Sequence, residues 1–236
     1  RNASLISPGI AAARGPALTI VAARIFPYAL PFKAAWRSAA GDARERCGWL
    51  LELRDSDGRS GWGECAPLPS HGSEDHATAR MRLLYWQATL PGQRAARILA
   101  RLASPGTFSA PAARAAVECA LLDLLSQAQG KPLTALLDGK TGEQRIPVNA
   151  AAGTIHDAAL IDNAITRGFR VIKLKLGLDA PAAELIALEA LAARLPSGIT
   201  LRLDANRSWD RETASRMLAA LAALPVESVE EPLAAP

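Results

Sequence analysis

The chain has 236 residues and a formal net charge of +4, with 50% hydrophobic and 21% charged residues. This composition is typical of a globular protein and excludes a chain that is mostly disordered. The sequence has neither the ~18 uninterrupted apolar residues of a membrane span nor a clustered basic face, so membranes and nucleic acids are not expected partners, and a cytoplasmic location is the default.

The N-terminal part of the sequence predicts strands followed by helices. Residues 1–17 show no periodicity, and we expect them to be a disordered or loosely attached leader. Strands are expected at residues 18–30, 47–55 and 58–67, with a polar stretch at 31–46 and a hairpin turn at Asp57-Gly58. Helices are expected at residues 73–89, 93–103, 110–129 and 132–137. Residues 18–140 therefore indicate an α+β domain.

Residues that favour a helix start are predicted for two of these helices. Glu74 and Asp75 are expected in the first turn of the helix that begins at Ser73, and Ser109 is expected to cap the third helix. The cysteines Cys47, Cys65 and Cys119 are widely spaced and form no CxxC pair. Their pattern indicates neither a disulfide framework nor a zinc site, and we expect reduced, mostly packed thiols.

From residue 141 onward, strands and helices alternate. Buried strands are expected at residues 145–153, 169–177, 199–206 and 226–232, with one helix between each pair of them. This alternation is typical of βαβ units in a parallel sheet. The first strand is followed by neither a GxGxxG nor a GxxxxGK loop, which disfavours nucleotide-binding folds. Residues 141–236 therefore predict a (β/α) barrel of the TIM type, with only about the first four β/α units present.

Two of the five lysines lie two residues apart in the second barrel strand. Lys173 and Lys175 should share one face of the strand, while the other face is apolar, with Ile172, Leu174 and Leu176. Helices would cover the apolar face and leave both ammonium groups inside the barrel, where they need carboxylates or a polar ligand. An edge strand with solvated lysines is the alternative, but the flanking apolar residues disfavour it.

Carboxylates follow at the ends of the next two strands. Asp204 and Asn206 share a face near the end of the third strand, and Glu230 lies at the same height in the fourth. Barrel active sites form at this carboxyl edge. Two carboxylates without histidine or cysteine favour a hard cation such as Mg²⁺. Either carboxylate alone can simply cap a helix, but two of them facing two lysines favour a functional site.

The motifs KLK (173–175), DANRSW (204–209) and VEEP (229–232) on consecutive strands resemble those of the muconate lactonizing branch of the enolase superfamily. The segment GWGECAPLP, from Gly61, is similar to the capping domain of that superfamily, and residues 113–139 resemble its linking helices. Within the branch, the combination of GWGECAPLP with IPVNA at the start of the barrel is most similar to the o-succinylbenzoate synthases of menaquinone biosynthesis.

The resemblance implies a capping domain, a barrel, and removal of a proton from the carbon next to a substrate carboxylate. By match to the motifs, Lys175 would be the general base, and Lys173 would keep it unprotonated and help to bind the carboxylate. Asp204 and Glu230 would bind Mg²⁺, and Asn206 would orient a metal ligand or a lysine.

Three functions remain open at this point. The first is a lyase that dehydrates a cyclohexadiene dicarboxylate to o-succinylbenzoate. The second is an isomerase that epimerises dipeptides or racemises N-acylamino acids. The third is a non-catalytic fragment or half-barrel scaffold, because the third carboxylate ligand and the opposing lysine of the superfamily belong to strands later than the four predicted here. The expected partner is a small carboxylate substrate, and a homo-oligomer is left open.

The capping domain is expected to determine specificity. Its loops at 31–46 and 65–75 would close over the barrel mouth. Lys33, Arg37 and His71 are candidates there for contact with a second substrate carboxylate, although each fits a solvated loop residue better.

Overall fold

The computed structural model describes residues 18–38, 41–104, 110–138 and 145–234. These residues form two compact units, which divide between residues 143 and 144. The predicted leader at 1–17 and the predicted cap Ser109 lie outside the described residues, as do the side chains of residues 34–43. None of the helices in the described ranges is long and apolar enough to cross a membrane.

The N-terminal unit contains an antiparallel sheet in the order β1-β2-β3, with β1 at Ile20–Ser38, β2 at Gly41–Asp55 and β3 at Ser60–Cys65. The predicted turn joins β2 to β3, and its Gly58 has a φ of 84°. The prediction that strands stop between residues 31 and 46 is wrong, because β1 and β2 pair as far as Ser38 and Gly41. Cross-strand hydrogen bonds outweigh the local polarity of this segment.

Helices follow the sheet, in agreement with the predicted order. A 3₁₀ turn at Pro69–His71 precedes α1 (His76–Thr89), α2 (Ala95–Ala103), α3 (Pro111–Gln129) and α4 (Leu133–Asp138). Buried side chains of α1, α2 and α3 share one hydrophobic core with Leu51, Leu53 and Cys65 of the sheet. Helix α1 begins later than predicted, since Asp75 is its N-cap and accepts a hydrogen bond from the Thr78 N–H at 2.7 Å.

The glycines of β3 allow this strand to lie directly against α3. A Cβ atom on Gly63 would lie 1.9 Å from the Ala116 carbonyl oxygen, and one on Gly61 would lie 2.2 Å from the Ala120 carbonyl oxygen. Any other residue would push the helix away from the strand. The GWG sequence therefore determines the distance between this sheet and its longest helix.

Glu74 has a different role from the predicted one. It precedes α1, is 9% exposed, and accepts hydrogen bonds from the Ala112 and Ala113 N–H groups at 3.0 and 2.8 Å. These groups belong to the first turn of α3, whose N-cap residue, Ala110, offers no side-chain acceptor. A buried carboxylate from a distant loop thus satisfies N–H groups that the helix cannot satisfy itself.

The C-terminal unit is a four-stranded parallel sheet in the order β4-β5-β6-β7, with one helix between successive strands. The strands are β4 (Ala150–Thr154), β5 (Val171–Lys175), β6 (Thr200–Asp204) and β7 (Val226–Glu230), and the helices are α5 (Ala158–Thr166), α6 (Pro181–Arg194) and α7 (Arg211–Leu221). The predicted alternation is confirmed, but β4 begins five residues later than expected. Pro147 has no N–H to donate, and Ile146 is 77% exposed, so the segment before Ala150 does not pair.

The helices of this unit pack on one face of the sheet. Apolar residues of β5 and β6 are fully buried there with residues of all three helices, including Ile172, Leu174, Leu201 and Leu203 from the strands. Lys173 and Lys175 alternate with these residues and are only partly buried on the other face. The predicted division of β5 into an apolar and a lysine face is therefore confirmed.

All three cysteines are free thiols, as expected. Cys65 is buried and Cys47 is half-buried, whereas Cys119 is exposed, so the expectation of packing fails for this last residue. Burial raises the pKa of Cys65 to about 12. This thiol is therefore neutral and unreactive at ordinary pH.

Candidate active site

Charged side chains gather at the carboxyl edge of the parallel sheet. Lys175 is the last residue of β5, Asp204 the last of β6 and Glu230 the last of β7. In the strand pairing, Lys175 lies opposite Asp204, and Asp204 lies opposite Glu230. The predicted equal height of the two carboxylates is confirmed. This is the edge at which parallel α/β proteins bind their ligands.

Lys173 connects the two carboxylates. Its Nζ lies 2.6 Å from Glu230 Oε2 and 3.0 Å from Asp204 Oδ2. The side chains of Lys173, Asp204 and Glu230 are 27%, 17% and 45% exposed. One ammonium is thus shared between two partly buried carboxylates that come from neighbouring strands.

Two opposing effects act on the pKa of Lys173. Desolvation lowers the pKa, but the hydrogen bonds and the negative charges of Glu230 and Asp204 outweigh this effect and raise the pKa above its ordinary value. Lys173 is therefore a cation at neutral pH. It supplies a fixed positive charge on the strand face that also carries Lys175.

Asn206 holds Asp204 by two hydrogen bonds. Its backbone N–H donates to Asp204 Oδ1 at 3.2 Å, and its Nδ2 donates to the Asp204 carbonyl oxygen at 3.0 Å. Its φ of 50° lies in the left-handed region, which asparagine tolerates better than most residues. Of the two predicted roles of Asn206, these contacts favour orientation of the carboxylate.

The two carboxylates fit a hard cation in chemistry and in position. Their oxygens approach one point, at the Lys173 ammonium, from strands that pair directly. Oxygen donors alone suit Mg²⁺ better than zinc or copper. Over the residues that the structure describes, no three His, Cys, Asp or Glu side chains form a metal-binding group. Asp204 and Glu230 are the candidate ligands at this site.

The loops that follow β4 and β5 are fixed by residues that the sequence reasoning missed. Glu184 of α6 is 2% exposed and accepts hydrogen bonds from the Gly177 and Leu178 N–H groups at 2.7 and 3.0 Å. His156 Nε2 lies 2.8 Å from Asp179 Oδ2 and so joins the two loops. No local pattern indicates either contact, because each partner belongs to a different element.

The loops that follow β6 and β7 are joined by a second pair that was missed. Arg207 contacts the Glu231 carboxylate at two points, with distances of 2.6 and 3.1 Å. Both residues belong to the motifs used for the prediction, since Arg207 lies in DANRSW and Glu231 lies beside Glu230 in VEEP. The motifs could therefore have drawn attention to Arg207 and Glu231, although they do not indicate that the two side chains contact each other.

The remaining predicted contact residues lie in the N-terminal unit. Lys33 is exposed, and the side chain of Arg37 lies outside the described residues. His71 lies in the 3₁₀ turn and lines a cavity of about 630 Å³. Arg46 forms part of the cavity wall and donates to the Ala66 carbonyl oxygen at 2.6 Å, which ties the loop after β3 to β2. Of the three candidates for contact with a second substrate carboxylate, the structure places His71 at a cavity.

Both units match families of known proteins. The family model described as "MenC, N-terminal domain" matches residues 20–122. The family model described as "Enolase C-terminal domain-like" matches residues 156–236. The matches fall in the N-terminal and C-terminal units respectively, and together they cover most of the chain.

Among the individual relatives are an o-succinylbenzoate synthase and a dipeptide epimerase. The chain is 35% identical over 214 residues to the o-succinylbenzoate synthase of Thermosynechococcus vestitus, covering 87% of this chain and 59% of that protein. It is 34% identical over 185 residues to the hydrophobic dipeptide epimerase of Roseobacter litoralis, covering 75% of this chain and 52% of that protein.

The solved structure of the dipeptide epimerase from Methylococcus capsulatus, complexed with Mg and the dipeptide L-Arg-D-Lys, has a similar fold. Its TM-score is 0.80 at 26% identity, with 91% of this chain and 62% of that chain covered. The chain thus spans between 52% and 62% of the length of these three proteins. The likeness confirms the predicted order of an N-terminal sheet domain and an α/β part with parallel strands. On the two family models and these relatives, the chain belongs to the enolase superfamily.

Proposed function

We propose that this chain carries part of the active site of an o-succinylbenzoate synthase-like dehydratase, a Mg²⁺-dependent lyase of menaquinone biosynthesis. The observation that carries the proposal is the Lys173 ammonium shared by Asp204 and Glu230, on the strand face that also holds Lys175. The match of residues 20–122 to the MenC N-terminal domain supports the proposal. The 35% identity to the synthase of T. vestitus supports it as well.

Lys175 is the proposed general base. It ends β5 at the carboxyl edge of the sheet, opposite Asp204 and on the same face as Lys173. As a neutral amine, it would take the proton from the carbon next to a substrate carboxylate. Lys173, which stays positively charged, would attract that carboxylate and hold it near the base.

Asp204 and Glu230 are the proposed ligands of Mg²⁺, and Asn206 would hold Asp204 in position. When bound, Mg²⁺ supplies positive charge that offsets the negative charge developing on the substrate carboxylate as the proton leaves. The protein contributes the two carboxylates at one height, and the ammonium of Lys173 adds to the same positive field.

Loss of the β-hydroxyl group completes the proposed dehydration. After the proton has left, the carbon–oxygen bond breaks, a carbon–carbon double bond forms, and the hydroxyl group needs a proton to depart as water. The ammonium of Lys175, formed in the first step, can supply this proton. One lysine would therefore act first as base and then as acid, with no net change in its charge.

An epimerase of dipeptides, or a racemase of N-acylamino acids, is the second candidate. The observation in its favour is the TM-score of 0.80 to the M. capsulatus epimerase, which was solved with Mg and a dipeptide. Its reaction begins with the same proton abstraction, but a proton returns to the same carbon and no hydroxyl group leaves. Water loss therefore separates the two candidates.

The test is an assay of the purified chain in D₂O with Mg²⁺. One sample receives the cyclohexadiene dicarboxylate that the synthase dehydrates, and another receives a set of dipeptides, with NMR following product and deuterium at the α-carbon. We expect dehydration of the first substrate, with a rate that falls about 10²–10⁴-fold in Lys175→Gln. Lys131→Gln removes an exposed lysine of the N-terminal unit and should leave the rate unchanged.

The other outcomes reject the synthase assignment. Deuterium uptake or epimerisation of dipeptides without water loss would transfer the function to the epimerase class. If the wild-type chain catalyses neither reaction, an enzymatic function of this chain is wrong, and the non-catalytic half-barrel is the better description.

A further inference from the structure

Three residues beside the proposed metal ligands have an unusual backbone conformation. Among the described residues, Asn206, Arg207 and Glu231 are the non-glycine residues with positive φ, at 50°, 59° and 41°. This region is unfavourable for residues with a Cβ atom, and it persists only where the surrounding structure enforces it. All three follow Asp204 or Glu230 within three positions of the sequence.

Arg207 and Glu231 are joined through both backbone and side chains. The Arg207 N–H donates to the Glu231 carbonyl oxygen at 2.7 Å, and its Nε and Nη2 donate to the carboxylate at 3.1 and 2.6 Å. The Ala205 N–H donates to the Glu230 carbonyl oxygen at 3.1 Å, so the strand pairing continues into the loops. The two loops that follow the proposed ligands are thus tied together.

The exposure of this pair argues against a large role in stability. The side chains of Arg207 and Glu231 are 60% and 55% exposed. Exposed ion pairs add little to the free energy of unfolding, because water and salt screen them. Their two-point geometry nevertheless fixes the relative position of the groups, and it accompanies a backbone conformation that costs free energy. Both features fit a positional role better than a stabilising one.

We propose that Arg207 and Glu231 are a positioning pair, which holds Asp204 and Glu230 at the separation that a divalent cation requires. The inference rests on the proposed role of these two carboxylates as metal ligands. The pair acts through the backbone of the two loops and not by contact with the cation. Without the pair, the two loops can relax from the left-handed conformation, and the oxygens of Asp204 and Glu230 no longer converge on one position.

The variants Arg207→Gln and Glu231→Gln test the proposal in the whole chain. Calorimetry with Mg²⁺ should give an affinity about tenfold weaker for each, the lower end of the usual loss when groups that orient metal ligands are changed. The double variant should be no weaker than either single one, since both changes remove the same pair. The reversed pair, Arg207→Glu with Glu231→Arg, should recover part of the affinity.

A second measurement needs no metal. Because the same two carboxylates hold the Lys173 ammonium, Arg207→Gln and Glu231→Gln should increase the rate at which an amine-reactive reagent acylates Lys173, compared with exposed Lys131 as an internal reference. Mass spectrometry of the digested protein gives both rates in one sample. Thermal unfolding of the same variants should change little.

The pair Glu212 and Arg216 on α7 provides the matched control. Arg216 Nη1 lies 2.6 Å from Glu212 Oε1, and the side chains of Glu212 and Arg216 are 81% and 65% exposed. This pair therefore resembles the proposed pair in contact distance and exposure. Glu212→Gln and Arg216→Gln should change neither the Mg²⁺ affinity nor the acylation of Lys173.

The proposal is overturned if the Arg207 and Glu231 variants change neither the Mg²⁺ affinity nor the acylation rate of Lys173. It is also overturned if their effects are no larger than those of the control variants. A loss of affinity that accompanies general unfolding would also overturn it. If the wild-type chain binds no Mg²⁺, the proposed function fails, and the acylation of Lys173 alone then decides whether the pair positions the two carboxylates.

Discussion

Two carboxylates of the N-terminal unit and two of the C-terminal unit are held in different ways. In the N-terminal unit, Glu74 caps α3, and Asp55, which is 2% exposed, accepts a hydrogen bond from the Arg59 N–H at 2.8 Å. In the C-terminal unit, Asp204 and Glu230 share a side-chain ammonium and remain partly exposed. A buried carboxylate held by backbone N–H groups is fixed by the fold, whereas a partly exposed one paired with a side-chain ammonium can exchange that partner for a ligand. Only the second kind is suited to binding chemistry.

The largest expected effect is on the packing that fixes the N-terminal unit. Gly63→Ala should lower the free energy of unfolding by about 3 kcal/mol, because a methyl group forced against backbone must displace the helix. Its Cβ would lie 1.9 Å from the Ala116 carbonyl oxygen. Urea unfolding followed by tryptophan fluorescence measures the loss. Ala29→Val adds atoms at an exposed position of β1 and should change the stability by less than about 0.5 kcal/mol. Equal stability of the two variants would contradict the close contact.

A smaller loss of stability is expected from the buried cap. Glu74→Ala should lower the free energy of unfolding by about 2 kcal/mol, since it leaves the Ala112 and Ala113 N–H groups without their acceptor. The matched control is Glu189→Ala, an exposed glutamate of α6, which should cost less than about 0.5 kcal/mol. Similar losses in both variants would show that the cap adds no stability.

The carboxylates of the C-terminal unit should affect ligand binding instead. We expect weak binding of Mg²⁺ to the wild-type chain, and at least a tenfold loss of affinity, about 1.4 kcal/mol, when Asp204→Ala and Glu230→Ala are combined. Calorimetry measures both. Removal of two exposed acids from the same unit, Asp162→Ala with Glu189→Ala, changes the net charge equally and should leave the affinity unchanged. Indistinguishable titrations of the wild type and the Asp204 and Glu230 variant would contradict the metal-binding role.

The smallest expected effect concerns pH. Hydrogen bonds from the Thr154 backbone N–H and hydroxyl lower the pKa of Asp157 in the folded chain. A lowered folded pKa means that the stabilisation is fully present above the unfolded pKa of about 3.9 and disappears as the pH falls through the folded value. Urea unfolding of the wild type and Asp157→Asn should therefore differ at pH 7 and differ by less at pH 3, below the unfolded pKa. A difference that is the same at both pH values would show that the ionised carboxylate is not its source.

Local periodicity was sufficient to predict the strands that carry the candidate site. The alternation in VIKLK predicted a lysine face and an apolar face, because successive side chains of a strand point in opposite directions. The equal height of Asp204 and Glu230 followed from their places at the ends of neighbouring parallel strands. Local reasoning was wrong for residues 31–46, where polar composition suggested an interruption and pairing between β1 and β2 extends both strands.

The sequence by itself determined which residues share a face, which strands end at the same edge and which charges are brought there, since these properties depend on neighbours within a few positions. The tertiary structure alone decided the partners of those charges. Lys173 meets Glu230 across 57 positions of the chain, and Glu74 meets Ala112 across 38. Such contacts depend on how strands and helices pack, and a carboxylate that will cap a distant helix has the same local sequence signal as one that will hold an ammonium.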